Sequence, residues 1–200
     1  MPAMDVGVLC PLRTDRNSFG RLQAFGVSCC QLVTWNPDHW TPALAEKTRQ
    51  DRDETGTRLA AVWAGWSGGA EWNFTGGPVT CGIVPEKTRR SRVEDYKKAA
   101  DWTKLLGAPA LITHLGFIPE NMTDPLWPGV VSAVKEIGSC CAARGLGFWF
   151  ETGQETPVVL LRLIEEVGLP NLGINLDPAN LILYGKGNPV DALDVFGPWV

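Results

Sequence analysis

The 200-residue chain is poor in the features that mark several large protein classes. No apolar run approaches the roughly 20 residues a membrane helix needs, so no membrane partner is expected. The opening stretch, MPAMDVGVLCPLRTDR, has no basic segment leading into an apolar one. It reads as a chain without a signal peptide, and a cytoplasmic location is the expectation. None of the six cysteines stands in a CxxC spacing; Cys29 and Cys30 are adjacent, as are Cys140 and Cys141. They read as reduced, small apolar core residues, not as zinc ligands or a redox pair. No GxGxxG or Walker-type loop follows the first strand, which removes the main support for a nucleotide-binding doubly wound sheet. Basic residues are not in excess: Lys and Arg number 18 against 22 Asp and Glu, for a formal charge of −4. That balance argues against nucleic acid as a partner.

The chain does carry a globular composition, 44% apolar and 20% charged, and a length suited to one domain over 1–200. Short apolar runs alternate with longer helical patterns. The strands read as DVGVLC (5–10), SCCQLVTW (28–35), RLAAVWAGW (58–66), PALITHLG (109–116), LGFWFE (146–151) and NLGINLD (171–177). Between them lie helical stretches over Ser18–Phe25, from Thr41 as N-cap to Gly56, Glu86–Leu106, from Asp124 and Pro125 to Gly145, and Glu155–Val167. A short helical region runs to about Phe196. Six strands with helical crossovers imply an α/β fold with a parallel sheet, and both a doubly wound sheet and a (β/α)8 TIM barrel fit that order.

The polar residues are placed more informatively. Trp66, His114, Glu151 and Asp177 fall at or near the C-terminal ends of the third to sixth strands, the ends that converge on the mouth where parallel barrels do chemistry. Two carboxylates on neighbouring strand ends repel unless a cation lies between them or one holds a proton. Oxygen ligands suit a divalent metal. The competing reading makes Asp177 the N-cap of a helix opening at Pro178. For Glu151 that reading is weaker, because Thr152 and Glu155 already form a capping-box pattern. His114 reads as a structural histidine, a substrate contact or a metal ligand, and His39 as loop structure. Nine tryptophans suit core packing as well as the C–H faces of sugars. The basic run KTRRSR (87–92) reads as a solvated helix face ahead of a phosphate site.

LITHLGFIPE, FWFETGQE and GINLDPANLILYGKGNPVDAL together resemble the sugar phosphate isomerase/epimerase family, the xylose isomerase-like TIM barrels. The resemblance implies a divalent metal (Mn, Mg, Co and Zn are not distinguished) held by Glu151 on strand five, Asp177 on strand six, a His on strand seven and a Glu on strand eight. It also implies a small sugar or polyol substrate and proton transfer next to a carbonyl through an enediolate, with Glu151 as one half of the acid–base pair. His114 and Asn180 are expected to bind substrate hydroxyls, with Trp66 as an apolar wall. Val200 falls where strand seven should begin, so the expectation is an incomplete barrel of about six βα units with half a metal site, inactive by itself. Its open edges at strands one and six invite self-association. A non-catalytic ligand- or partner-binding relative is the alternative. An endonuclease IV-like repair enzyme is disfavoured, because Asn180 and Trp66 stand where that branch has histidines.

Overall fold

The computed structural model describes residues 5–200; the first four residues of the stretch read as lacking a signal peptide lie outside it. Six strands form one open parallel sheet in chain order: β1 (Val8–Pro11), β2 (Cys29–Thr34), β3 (Arg58–Ala64), β4 (Ala110–Thr113), β5 (Gly147–Glu151) and β6 (Leu172–Asn175). Consecutive parallel neighbours, joined by helical crossovers from β2 onward, make an incomplete barrel wall, as expected, with β1 and β6 left as edges. Helices α1 (Pro42–Thr55), α2 (Gly77–Thr80), α3 (Glu86–Leu106), α4 (Trp127–Ala142), α5 (Pro157–Val167), α6 (Pro178–Leu183) and α7 (Pro189–Phe196) complete the order. Among the described residues no helix is long and apolar enough to cross a membrane.

The period of two along each strand sorts its side chains between two faces. Leu32, Val62, Leu111, Phe148, Phe150 and Ile174 point under the helices into the main core, where α4 packs Val130, Val134, Ile137 and Cys141 from its single apolar stripe. The opposite face carries a smaller apolar cluster of Ala61, Trp63, Ala110 and Ile112, with Val33 and Trp149 against it. Trp63, Ile112, Trp149 and Gly173 are successive register partners across β3 to β6. The row fits because two strand positions lack a side chain. A Cβ on Gly147 or Gly173 would lie 2.4 or 2.6 Å from the Trp149 ring. Two residues nearer the C-terminal ends, on the same face, Glu151 faces Asn175.

Several boundaries differ from the sequence reading. The stretch Ser18–Phe25 forms only a short 3-10 turn, Gln23–Phe25. There the side chains of Asn17 and Ser18 accept from Phe19 and Arg13 backbone N–H groups, and Gly20 weakens the helix alternative. Helix α4 starts at Trp127, because Asp124 turns the chain first by accepting from Leu126 N. The Thr152–Glu155 capping box does not form. Pro157 sets the start of α5, Thr156 caps it by accepting from Val159 N, and the Thr152 hydroxyl is bonded to the Asp177 backbone. The C-terminal region is two helices, α6 and α7. Strands β3 and β6 end at Ala64 and Asn175, so Trp66 and Asp177 each lie two residues beyond.

Candidate functional site

Glu151 ends β5 on the inner face, and its carboxylate is held from three directions. Trp63 Nε1 donates to Oε2 over 2.6 Å, Asn175 Nδ2 donates to the same oxygen over 3.0 Å, and His114 Nε2 lies 3.1 Å from Oε1. Asn175 is itself oriented by Gln31, whose Nε2 donates to Oδ1 over 2.9 Å from β2. The network thus ties the inner face of β2, β3, β5 and β6 to one acid. Contacts from three directions fix the direction of the carboxylate.

Asp177 caps α6: its Oδ1 accepts from Ala179 N and Asn180 N over 2.9 and 3.0 Å. Among the described residues no hydrogen bond reaches its other oxygen. Asp177, Asn175 and Glu151 border one groove of about 400 Å3 between the sheet edges, facing Gly7, Leu9 and Gln31. The two acids foreseen at one rim therefore share that groove. Among the described residues no three His, Cys, Asp or Glu side chains gather into a cluster able to hold a metal.

A second cavity, of about 330 Å3, opens above the inner face and is lined by Trp35, Trp63, Trp72, His114, Gln154 and Asn180 together with Glu151 and Tyr184. Three tryptophans make one wall. Trp35 meets Trp63 at a centroid distance of 4.7 Å and Trp72 at 5.9 Å, and Trp72 lies edge-on to His114 at 5.1 Å. Trp66, foreseen as the apolar wall, is buried behind Trp35 and stacked on Arg92. Asn180 borders the cavity while its Nδ2 donates to Thr152 O over 3.2 Å.

The loop after β5 brings in residues the sequence reading left out of the site. Gly153 passes so close to His114 that a Cβ there would lie 3.2 Å from Cε1. Gln154 is buried, and among the described residues neither amide atom has a hydrogen-bond partner; His114 Nδ1 and both oxygens of buried Glu155 are likewise unpartnered there. Burial pushes the Glu155 carboxyl up to about 7, against smaller opposing pulls from His114 and Lys186. The missed signal was the proline: Pro157 places the helix start after Glu155, which frees both residues to turn inward.

A parallel βα wall with carboxylates, an imidazole and amides gathered at its C-terminal rim defines a barrel with an active-site-like mouth. Residues 19–198 match the xylose isomerase-like TIM barrel family, and the chain belongs to it. A xylose isomerase domain protein from Planctomyces limnophilus shares 33% identity with a TM-score of 0.88, over 100% of this chain and 71% of that one. D-psicose 3-epimerase in the presence of D-fructose superposes with a TM-score of 0.71 at 14% identity, over 98% of this chain and 71% of that one. A xylose isomerase-like TIM barrel protein from Mycobacterium smegmatis in complex with magnesium gives 0.68 at 16%, over 90% and 62%. Among curated proteins none matches the sequence.

Proposed function

We propose that this chain carries the substrate cavity and two metal ligands of a divalent-metal-dependent sugar isomerase or epimerase. The observation that carries the reading is Glu151: an acid at the end of an inner strand, held by Trp63, Asn175 and His114, and sharing a groove with Asp177. Solved structures of the same fold include a xylose isomerase-like TIM barrel protein in complex with magnesium and a D-psicose 3-epimerase.

The residues present fit a hard cation. Glu151 and Asp177 would hold it, both offering oxygen, and Asp177 keeps one carboxylate oxygen free of hydrogen bonds. When bound, such an ion supplies electrostatic stabilisation to the oxygens of a carbonyl and its neighbouring hydroxyl as negative charge develops on them. The chain's own residues do the rest. Glu151 takes or returns the proton at the carbon next to the carbonyl, a task for which its fixed orientation is required. His114 and Asn180 bind hydroxyls, and the Trp35, Trp63 and Trp72 wall excludes water. Trp66 supports that wall from behind. Epimerisation, aldose–ketose isomerisation and dehydration share the enediolate and are not separated by these groups.

One observation favours binding without turnover: both oxygens of Glu151 already have protein partners. The two readings part in a single assay, in which the natural protein is incubated with D-fructose and Mn2+ and followed by NMR. Conversion to a second sugar that vanishes in Glu151→Gln supports the enzyme; binding without conversion supports the alternative.

A further inference from the structure

Gln154 is 1% exposed, borders the tryptophan-walled cavity, and among the described residues finds no partner for either its amide oxygen or its amide nitrogen. Each unpaired buried polar group costs about 1–3 kcal/mol. No helix cap, turn or strand in its surroundings uses the amide. Its neighbours on the same cavity point the same way: His114 Nδ1 is also unpartnered, and Trp72 stands edge-on to that imidazole. A group able to accept from the amide nitrogen and donate to the amide oxygen satisfies both ends at once, and a hydroxyl, or two adjacent hydroxyls, does so.

The charge around the cavity is one-sided. Among the described residues that line it none is a Lys or Arg, and Glu151 is the one acidic side chain. The nearby cations are engaged elsewhere: Lys186 pairs with Glu120 over 3.3 Å, and Arg92 lies behind Trp66 with its Nη1 on Gly82 O. The N-terminus of α6 is occupied by the Asp177 carboxylate, and at α5 the Thr156 hydroxyl takes the Val159 N–H. A phosphate entering here would meet a carboxylate and no Lys or Arg of this wall, and the cation proposed at Glu151 and Asp177 would already be taken up by the carbonyl and hydroxyl oxygens. The volume, about 330 Å3, lies at the small end of the roughly 300–1,000 Å3 typical of ligand pockets.

We propose that Gln154 reads substrate hydroxyls, and that the cavity takes an uncharged polyhydroxylated ligand, a free sugar or polyol and not its phosphate ester. The tryptophan wall covers the ligand's C–H face while the amide fixes its orientation. This deepens the sugar isomerase or epimerase reading above and rests on it.

The test is a titration of the full chain, followed by tryptophan fluorescence, with D-fructose and with D-fructose 6-phosphate at equal ionic strength. The expected result is binding of D-fructose at least about tenfold tighter than its phosphate, and a loss of about tenfold in D-fructose affinity in Gln154→Leu. Because the amide has no protein partner, that variant should keep or raise its thermal midpoint, whereas a structural glutamine would lower it. Gln154→Met, nearly the same in length, repeats the measurement if leucine disturbs the fold. Equal or tighter binding of the phosphate, an unchanged D-fructose affinity in both variants, or no response to either sugar would overturn the proposal. Failure here is distinguishable from failure of the parent reading. Metal-dependent turnover of a phosphorylated ketose would leave the isomerase or epimerase standing without this specificity; tight, Gln154-dependent binding of D-fructose with no conversion would do the reverse.

Discussion

The indole nitrogen of Trp63 donates to Glu151 Oε2 over 2.6 Å, from a strand two places away in the sheet. A buried aromatic of the inner face thus orients the acid on which the proposed chemistry depends. Trp63→Phe keeps the ring packing and removes the donor. A hydrogen bond to a charged group contributes about 1.5–3 kcal/mol, so a lower unfolding free energy is expected. Loss of a partner that orients a ligand should also weaken Mn2+ binding by about 10- to 100-fold. Denaturant unfolding and calorimetric metal titration read the two effects separately.

Asp177 has two tasks on two oxygens: it caps α6 through Oδ1, and the proposal gives it a metal. Asp177→Asn retains a capping oxygen and lowers the ligand charge. Its stability should stay within about 0.5 kcal/mol of the parent while Mn2+ binding falls. Asp177→Ala loses both, with a further cost of about 0.5–2 kcal/mol. Equal metal binding in all three proteins would confine Asp177 to the cap.

Glu155 makes stability depend on pH. Burial raises its carboxyl from the ordinary 4.5 to about 7, so the folded chain keeps a proton that the unfolded chain releases. Its contribution is fully present below pH 4.5 and is lost as pH rises to about 7. The loss is on the order of 3 kcal/mol. Glu155→Gln should therefore show a flatter stability profile across that window, and be more stable than the parent at pH 8 when measured by urea unfolding without metal. A parallel pair of profiles would contradict the burial argument.

The inner row depends on absent side chains. Gly173→Ala puts a Cβ 2.6 Å from the Trp149 ring. Displacing that ring should cost about 1–3 kcal/mol and change the near-ultraviolet circular dichroism of the tryptophans. An unchanged spectrum and midpoint would mean that the row can relax.

Much of this was legible in the sequence because it rests on local signals. The alternation of apolar runs with amphipathic helices gives the parallel wall, and Thr41, Pro42 and Gly56 bracket α1 as their cap chemistry requires. The ends of the strands place Glu151, His114 and Asp177 at one rim. What was not legible depends on contacts between distant strands. Nothing local marks Trp63 and Gln31 as partners in the Glu151 network, since each reads as an ordinary strand residue until the register aligns them. Trp66 and Trp35 show the same limit: both follow strands, yet the inner wall takes Trp35 while Trp66 turns under it. Glu155 was misread for a different reason. The TGQE pattern imitates a capping box, and Pro157 moves the helix start past it.

Mn2+ titration of the parent, Glu151→Gln and Asp177→Asn, followed by electron paramagnetic resonance, is the most direct measurement. A bound ion in the parent that is lost from both variants is the predicted result. No bound ion in the parent, or binding indifferent to both substitutions, would show that these two carboxylates do not share a cation.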